Sequence, residues 1–434
     1  MATVRTELFP GVWLTAVKSD KFKTGCMSIN LLTQLSRDTA ALNAVIPFVL
    51  RRGTRNYPDM RALSSAQDEL FGTGIEPVVR KIGEIQCIGF FASFPDDKYL
   101  PAGEAVFENA AGLCCEMLLY PNTKGGLFLP AYVESEKEKL LDLIKSRVNE
   151  KRSYALYRLI EQMCCYEDYA VSRFGTVDNA ESIYYQKLTK HYRNLLAESP
   201  VEIFYCGSLP SERVASVLTD ALCAMPRGEI NYDIGTDVRM NAVSDSVRYF
   251  EDEMNVTQGK LCMGFRLGDC MEEPDFAALY VFNALYGGCV TSKLFMNVRE
   301  KLSLCYYASS AVDTHKGLML VSSGVDFEKA EEAKAEILRQ LDAVKSGDFT
   351  DDELNSAKRS VASELRGCLD SQGEMEGFYL AGTIDGLDFD PDELAALVDE
   401  VTADSVISIA KSVVPDAVYF LRGNGEEDNG DDET

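Results

Sequence analysis

Hydrophobic and polar positions alternate along the chain in a pattern that occurs twice. The first copy begins VWLTAVKSDKFKTGCMSINLL (12–32) and the second begins VRYFEDEMNVTQGKLCMGFRL (247–267). Each stretch predicts a strand, a polar turn and a second strand, because apolar and polar residues alternate on both sides of the turn. Cys262-Met263 takes in the second copy the place that Cys26-Met27 has in the first. The chain therefore carries an internal duplication.

The elements that follow these strands also correspond. A helix is predicted to begin at TAAL (39–42) in the first copy and at FAAL (276–279) in the second. Each copy closes on an apolar strand that ends in glycine, at 201–207 and at 417–423. Strands at both ends with helices between them predict an α+β fold. It would consist of two tandem homologous modules, each an antiparallel sheet with helices packed on one face.

Composition divides the chain into four parts. The first module covers 1–226 and the second 246–424, and each has enough predicted strands and helices to keep a core of its own. The stretch 227–245 is polar and rich in turn-forming residues, which predicts a linker. Residues 425–434 are acidic and hold no apolar side chain, which predicts a disordered tail. Cutting the linker should therefore leave two folded halves.

The charge balance narrows the range of partners. The chain has 434 residues and a formal net charge of −26. Nucleic acids and anionic membrane surfaces attract positive charge, so we expect neither as a partner. The acidity is explained by solubility or, alternatively, by attraction of basic peptides.

The cysteines and the N-terminal sequence bear on location. The 13 cysteines are odd in number and form no CxxC motif, which predicts reduced thiols in a cytoplasmic protein. The N-terminal residues lack the basic and apolar regions of a secretory signal, and no apolar run is long enough for a transmembrane helix. We therefore expect a cytoplasmic chain.

The second module holds a long ordered run of distinctive residues, YGGCVTSKLFMNVREKLSLCY (286–306). It contains a glycine pair, a Ser, Leu-Phe, Arg-Glu-Lys, and then Tyr306 seven residues after Arg299. Further on, TDDEL (350–354) with Ala357-Lys358 predicts a capped helix start. Together with the duplication, these residues resemble the insulinase/pitrilysin family of zinc metallopeptidases and their non-peptidase homologues. The resemblance covers about residues 10–424.

Active members of that family carry the zinc motif H-x-x-E-H, followed closely by a basic-Gly-Thr turn. Arg52-Gly53-Thr54 is similar to that turn, and counting back from it places the motif on 44–48. The resemblance then implies that Ala44 and Phe48 stand where the two zinc-binding His would be, and Pro47 where the Glu would be. None of these three side chains can bind a metal ion or take a proton.

The third zinc ligand of active members is a Glu on a later helix. In the predicted helix 134–145, matching the apolar residues puts Leu143 at that position, and a shift of one residue would put Asp142 there. The chain has only two His, His191 on a predicted helix and His315 in a predicted turn, too far apart in sequence for a zinc motif. We therefore expect no metal, no other cofactor and no peptidase activity in this chain alone.

A substrate-holding role survives the loss of zinc, as the resemblance implies. Arg299 and Tyr306 match an Arg and a Tyr that hold substrate in the zinc-free subunits of two-chain family members. Arg offers a fixed fork of donors and Tyr an O–H group. Tyr307 would take the role if the strand register differs. Alternatively, Arg299 and Glu300 make surface pairs and Tyr306 packs as an ordinary strand residue, while Gly287-Gly288 either ends a helix or lets substrate pass close to the backbone.

The sequence therefore predicts the catalytically inactive subunit of a heterodimeric zinc metallopeptidase from a bacterium. Zinc is expected in a separate homologous HxxEH subunit, whose substrate chamber this chain would complete while clamping a peptide substrate. The alternative is a non-hydrolytic peptide-binding or scaffold protein, which need not keep Arg299 and Tyr306.

Overall fold

The chain folds into two compact units, here called unit 1 and unit 2. The structure is a computed structural model that describes residues 2–239, 244, 246–268, 275–387 and 389–424. Unit 1 comprises Met1–Ser146, Val171–Gly235 and Ser371–Asp388, and unit 2 comprises Arg147–Ala170, Thr236–Asp370 and Phe389–Thr434. The predicted tail, 425–434, and residues 240–243 and 245 of the predicted linker lie outside the described residues.

The first half of the chain contains strands β1 to β8 and α-helices α1 to α8, and the second half contains strands β9 to β13 and α-helices α9 to α14. The strands are β1 (Ala2–Phe9), β2 (Val12–Lys18), β3 (Thr24–Gln34), β4 (Gly74–Ile82), β5 (Ile85–Pro95), β6 (Thr123–Lys124), β7 (Leu127–Phe128), β8 (Val201–Gly207), β9 (Arg248–Met254), β10 (Gly259–Arg266), β11 (Cys305–Asp313), β12 (Leu318–Val325) and β13 (Val414–Gly423). The α-helices are α1 (Ala40–Leu50), α2 (Met60–Glu69), α3 (Val106–Leu119), α4 (Pro130–Ser146), α5 (Lys151–Met163), α6 (Val177–Glu181), α7 (Tyr185–Glu198), α8 (Ser211–Leu222), α9 (Asp275–Asn283), α10 (Ala330–Lys345), α11 (Asp351–Cys368), α12 (Gln372–Asp385), α13 (Pro391–Glu400) and α14 (Ala403–Ser412). The segments Ala284–Gly288 and Leu294–Lys301 are wound more widely than an α-helix.

Each unit is built on one sheet, and the two sheets have the same topology. Unit 1 has the strand order β1-β2-β8-β3-β5-β4, and unit 2, written from its other edge, has β9-β13-β10-β12-β11. Neighbouring strands are antiparallel except for one parallel pair in each sheet, β2 with β8 and β9 with β13. The orders coincide once β1 is set aside. This correspondence confirms the predicted α+β fold and its internal duplication.

Alternation along the strands of unit 1 separates an apolar face from a polar face. Leu14 of β2, Ile29 of β3 and Ile203 of β8 belong to the main core, which α1, α3, α7 and α8 complete. On each strand, the side chains next to these core residues point to the opposite face, because successive strand side chains alternate. The strand pattern of the sequence thus fixes which side chains enter this core.

The polar face of this sheet is covered by a helix from the second half of the chain. Ser28 and Asn30 of β3 and Glu202 of β8 lie against α12, which contributes Tyr379, Leu380 and Thr383. Asn30 Nδ2 donates to Glu376 Oε1 of α12 at 3.3 Å. Because this bond joins two buried polar side chains, α12 is fixed by a specific contact as well as by apolar packing.

Unit 2 contains the reciprocal arrangement. Its sheet is covered on one face by α5, a helix from the first half of the chain. Ala155, Leu159 and Met163 of α5 pack against Cys262 of β10 and Tyr419 of β13 in one apolar cluster. Since α5 follows α4 in the first copy and α12 follows α11 in the second, the two units exchange corresponding helices.

A buried cluster of charges adds to the attachment of this exchanged segment. Glu167, which follows α5, is 2.7 Å from Arg266 and 2.9 Å from Lys316, and Arg266 also pairs with Asp416 at 2.9 Å. Burial opposes ionisation of Glu167, but the hydrogen bonds from Arg266 and Lys316 prevail and lower its pKa. Removing one partner from such a buried network costs about 3–5 kcal/mol.

The structure departs from the predicted module bounds in two segments. Residues 147–170, expected in the first module, belong to unit 2, and 371–388, expected in the second module, belong to unit 1. A cut within 227–245 would therefore deprive each sheet of one covering helix, contrary to the expectation of two self-sufficient halves. Periodicity shows that a helix has a buried side, but it cannot show which sheet covers that side.

Within the described residues, no helix is both apolar and long enough to cross a bilayer.

Candidate functional site

In unit 1 the positions matched to the zinc motif lie on α1, a helix that is buried on nearly every side. Ala44 is 0% exposed and belongs to the main core, Pro47 is buried, and Phe48 is half-buried. Pro47 has no N–H, so the helix loses the backbone bond that this residue would make to Asn43. A helix that is apolar all round packs as core. These three positions therefore serve packing.

The residues around α1 do not fit a zinc ion. α4 packs against α1, but its Leu143 is 42% exposed and has no donor atom. Glu136, the buried carboxylate of α4, accepts from Arg52 Nη1 at 3.0 Å and from Lys139 Nζ at 2.8 Å. Two cations thus occupy that carboxylate, and α1 supplies no His, Cys or carboxylate beside it. Asp142, the alternative third ligand, is exposed to solvent.

One His does approach this helix, as part of a polar chain inside the core. His191 Nε2 donates to Asn43 Oδ1 at 2.5 Å, and Asn43 Nδ2 donates to Gln86 Oε1 at 2.8 Å. Gln86 in turn donates to the carbonyl of Ala40 at 3.0 Å. Burial and the nearby charge of Lys187 lower the pKa of His191 to about 4. His191 is therefore a neutral, hydrogen-bonded core residue at neutral pH.

Sequence reasoning did not identify Asn43 and Gln86 as partners of His191. The available signal was Asn43 itself, a polar residue in the otherwise apolar stretch AALNAVIPF. A buried amide requires hydrogen-bond partners, so its presence predicts a polar neighbour in the core. Only the fold reveals that this neighbour is His191, because the two residues are far apart in sequence.

In unit 2 the run 286–306 forms a helix, a turn and the beginning of edge strand β11. Lys293 Nζ lies 2.7 Å from Glu353 Oε1, and Glu353 also forms the capping box with Thr350 at the start of α11. The two stretches that carried the family resemblance are therefore in direct contact. The capped helix start predicted at Thr350 is confirmed.

The glycine pair in this run meets a packing requirement. A Cβ on Gly287 would lie 2.6 Å from Ser310 Oγ and 2.7 Å from Leu294 Cδ1. The helical segment therefore approaches β11 more closely than a larger residue allows. This contact accounts for Gly287 without involving a substrate, and the pair ends the helical segment as one of the two sequence interpretations predicted.

Arg299 lies near the end of the segment Leu294–Lys301 and remains accessible. Its side chain is 40% exposed, its Nε is 3.6 Å from Glu300 Oε1, and its guanidinium stacks over Phe295 at 4.6 Å from the ring centre. Ser303, with φ +50°, turns the chain toward β11 and donates its N–H to the carbonyl of Arg299. The guanidinium is oriented by its neighbours but is not enclosed by them.

The two tyrosines at the start of β11 point to different surroundings, because a bulge interrupts the pairing with β12. Cys305 is opposite Val325 and Tyr307 is opposite Gly324, so Tyr306 is the extra residue. Tyr306 is 61% exposed, and its hydroxyl donates to Asp326 Oδ1 at 3.0 Å. That bond and the charge of Asp326 raise the pKa of Tyr306.

Tyr307 is mostly buried and lies beneath Arg152, whose guanidinium is 4.2 Å from the ring centre. Burial raises the pKa of Tyr307. Of the two tyrosines, Tyr306 is therefore the more accessible to a molecule in solution.

Comparisons with known proteins show the family and the fold that the chain resembles. The family description "Peptidase M16 inactive domain" matches residues 182–361. The chain is 31% identical to "Probable inactive metalloprotease YmfF" of Bacillus subtilis (strain 168), covering 95% of this chain and 96% of that protein. It is 30% identical to "Uncharacterized zinc protease YmxG" of the same organism over 26% of this chain and 28% of that protein. A crystal structure of a conserved protein from Enterococcus faecalis V583 superposes with a TM-score of 0.87 at 27% identity, covering 98% of this chain and 100% of that one.

Proposed function

The chain belongs to the M16 peptidase family, which is the insulinase/pitrilysin family, as one of its inactive members, and we propose that it is the non-catalytic subunit of a heterodimeric zinc peptidase. In this proposal a separate homologous HxxEH chain binds the zinc ion and hydrolyses the peptide. The present chain completes the substrate chamber and holds the peptide through Arg299 and Tyr306.

The observation that carries the proposal is the contrast between buried and exposed positions. Ala44 has been absorbed into the core of unit 1, so this chain cannot supply the metal centre. Arg299 and Tyr306 are both exposed. A segment that served packing alone would not require an Arg at this position. Exposed polar residues on a buried scaffold are where binding residues are normally found.

The pairing with a second chain rests on the relatives. One relative is described as an inactive metalloprotease and another as a zinc protease, and both come from Bacillus subtilis (strain 168). A chain described as an inactive metalloprotease and a chain described as a zinc protease, in one organism, are the two kinds of subunit that the proposed two-chain peptidase requires. Peptides are the expected substrates, and a bacterial source agrees with the relatives.

The chemistry open to the two residues differs. Arg299 has a permanent charge and a planar set of donors, so it can stabilise a carbonyl oxygen that gains negative charge during hydrolysis. The proton of Tyr306 is directed at Asp326, so its oxygen is left to accept an N–H from a peptide main chain. Donation by Tyr306 to a carbonyl would first require its release from Asp326.

The edges of the sheets offer a place for the peptide main chain. β4 and β11 lie at sheet edges in units 1 and 2, and an extended peptide can add to such an edge through backbone hydrogen bonds with little sequence preference. Tyr306 at the beginning of β11 would then meet an added peptide near its end.

The test is co-expression with an HxxEH homologue from the same genome, followed by size-exclusion chromatography and steady-state peptide cleavage. The proposal expects a stable complex whose cleavage requires both chains and is abolished by a zinc chelator. Cleavage by the HxxEH chain alone at the full rate of the mixture would refute the role of this chain. A complex that forms and binds peptides without cleaving them would favour the alternative of a non-hydrolytic scaffold.

We place the complex in the cytoplasm. Support comes from the cysteines: most of the twelve within the described residues are buried. Burial raises the pKa of Cys87, Cys115 and Cys262 to about 12, so these thiols stay protonated and unreactive. Fractionation of the source cells with an antibody against the chain would check this placement.

A further inference from the structure

A second polar region in unit 2 lies at the beginning of α5. A cleft of about 460 Å³ is formed there by residues before and at the start of α5 and by the connection from β9 to β10. It is lined by Asn149, Glu150, Lys151, Arg152, Asn255, Val256, Thr257, Gln258 and Lys260. Three of these residues are cations and one is an anion, in a chain whose net charge is −26.

Two of the cations are held near the same aromatic ring. The guanidinium of Arg152 is 4.2 Å and Lys260 Nζ is 6.0 Å from the ring centre of Tyr307. Arg152 also donates to Ser309 Oγ at 3.2 Å. Such stacking orients a cation while leaving its other donors available. Burial lowers the pKa of Lys260, although the charge of the nearby Glu150 acts to raise it.

A glycine leaves the space that this ring occupies. A Cβ on Gly324 would lie 2.5 Å from Tyr307 Cε1 and 2.9 Å from Gln258 Oε1. Only glycine at this position in β12 lets the Tyr307 ring and the Gln258 amide approach the sheet together. The backbone, the ring and the two cations therefore form one connected arrangement.

We propose that this cleft binds carboxylate-rich peptide segments. Arg152, Lys260 and Lys151 would pair with acidic side chains, while the amides of Asn149, Asn255 and Gln258 can hydrogen-bond to a peptide main chain. These amides and the volume of the cleft favour a peptide over a small anion. The cleft would bind such a segment whether or not the chain joins a peptidase.

The chain itself contains a sequence of this chemistry close by. The N–H of Asn424 donates to the carbonyl of Met254 at 3.0 Å, immediately before Asn255 of the cleft. The sequence after Asn424 includes Glu426, Glu427, Asp428, Asp431, Asp432 and Glu433. A test must therefore separate an added peptide from these residues of the chain.

The experiment measures fluorescence anisotropy of a labelled Glu/Gly peptide, with a Gln/Gly peptide of equal length as reference. The full chain and a variant ending at Asn424 are compared at about 0.15 M salt, where exposed charges interact over about 8 Å. Arg152→Gln combined with Lys260→Gln should weaken Glu/Gly binding at least about tenfold, because each removes a charge-assisted contact. Arg339→Gln, a cation of unit 2 with 63% exposure that pairs with Glu336, is the matched control and should not weaken it.

Tyr307 supplies a further check. Tyr307→Phe keeps the ring under Arg152 and should leave binding unchanged, whereas Tyr307→Ala should weaken it. Binding that appears only in the variant ending at Asn424 supports the cleft with the chain's own acidic residues as competitor. Equal affinity for the Gln/Gly peptide, or unchanged affinity in the folded double variant, overturns the proposal. Absence of binding in both chains, or binding of inorganic phosphate in place of the peptide, also overturns it.

Discussion

The region around Ala44 in unit 1 and the segment from Arg299 to Tyr306 in unit 2 differ in polarity and in exposure to solvent. In the first, side chains at positions matched to a catalytic motif are apolar and sealed in the core. In the second, a cation and a phenol remain exposed on a short, well-packed element. The matched positions in unit 1 thus serve packing, while unit 2 has polar groups at its matched positions that packing does not need.

This contrast assigns different consequences to mutation. A change at Ala44 should act on the free energy of unfolding, because the side chain is enclosed. A change at Arg299 should act on the cleavage rate of the proposed complex, because the side chain is exposed and makes only a long ion pair and a ring contact.

The largest effect is expected from Ala44→His. An imidazole at a position with 0% exposure overfills the core and buries an unpaired polar group, which together cost about 4 kcal/mol. Denaturant unfolding measures the loss. Phe48→His, at a half-buried position on the same helix, is the control and should cost clearly less. An Ala44→His chain as stable as wild type would show that the site can still open.

The triple change Ala44→His, Pro47→Glu and Phe48→His should not create a peptidase. Leu143 has no ligand atom, and Glu136 is engaged by Arg52 and Lys139, so the metal site would still lack its third protein ligand. Chelator-sensitive hydrolysis by this variant would contradict the view that the site has become packing.

The polar chain at His191 predicts a pH dependence of unit 1. The pKa of His191 is about 4 in the folded chain against 6.5 in its ordinary state. Between these values the unfolded chain binds a proton that the folded chain does not, so stability falls as the pH is lowered from 6.5 to 4. The loss amounts to about 3 kcal/mol.

The measurement is the free energy of unfolding at a series of pH values. His191→Gln keeps a donor for Asn43 and should remove this part of the pH dependence, while Lys190→Gln, an exposed neighbour on α7, should retain it. The proposal of a neutral core His fails if His191→Gln leaves the curve between pH 6.5 and 4 unchanged.

In the reconstituted pair, Arg299→Ala should lower peptide cleavage at least about 10²-fold, near 2.7 kcal/mol, as loss of one oxyanion donor does in other hydrolases. Lys301→Ala on the same segment is the matched control. If Arg299 acts on the transition state, kcat and kcat/KM fall together, whereas a rise in KM alone would show that it only holds substrate. Full activity would remove the clamp and favour a scaffold.

The smallest effect is expected from Tyr306→Phe, which removes one hydroxyl and should lower cleavage about tenfold or less. Tyr307→Phe should have no effect on cleavage, because that ring lies under Arg152. The opposite ranking of the two variants would move the substrate contact to Tyr307. Size-exclusion chromatography should show intact complexes for both, since neither change touches the core.

Much of the fold could be predicted from local pattern. The strand pairs of both copies, the helix beginning at Ala40 and the capped start of α11 follow from alternation, apolar runs and capping residues. The exchange of α5 and α12 could not be predicted, because each helix has a buried side in either assignment. Choosing between the sheets depends on contacts that are remote in sequence.

The candidate site divides in the same way. Family spacing was sufficient to select Ala44 and Arg299, and composition alone excluded a His pair. The bulge at Tyr306 depends on its pairing with β12, and the link from His191 to Asn43 depends on how α7 meets α1. Both are products of tertiary structure, which single-sequence periodicity does not encode.

The helix exchange also determines when each sheet can be covered as the chain is synthesised on the ribosome. Glu376 is synthesised 346 residues after Asn30 of β3, so the polar face of this sheet stays uncovered until then. Hydrated polar side chains tolerate that delay. α5 is made early with Ala155, Leu159 and Met163 on one side, and its sheet is not translated until much later. Nascent-chain contacts with chaperones should therefore concentrate on α5 rather than α12, since exposed apolar surface is what such partners recognise.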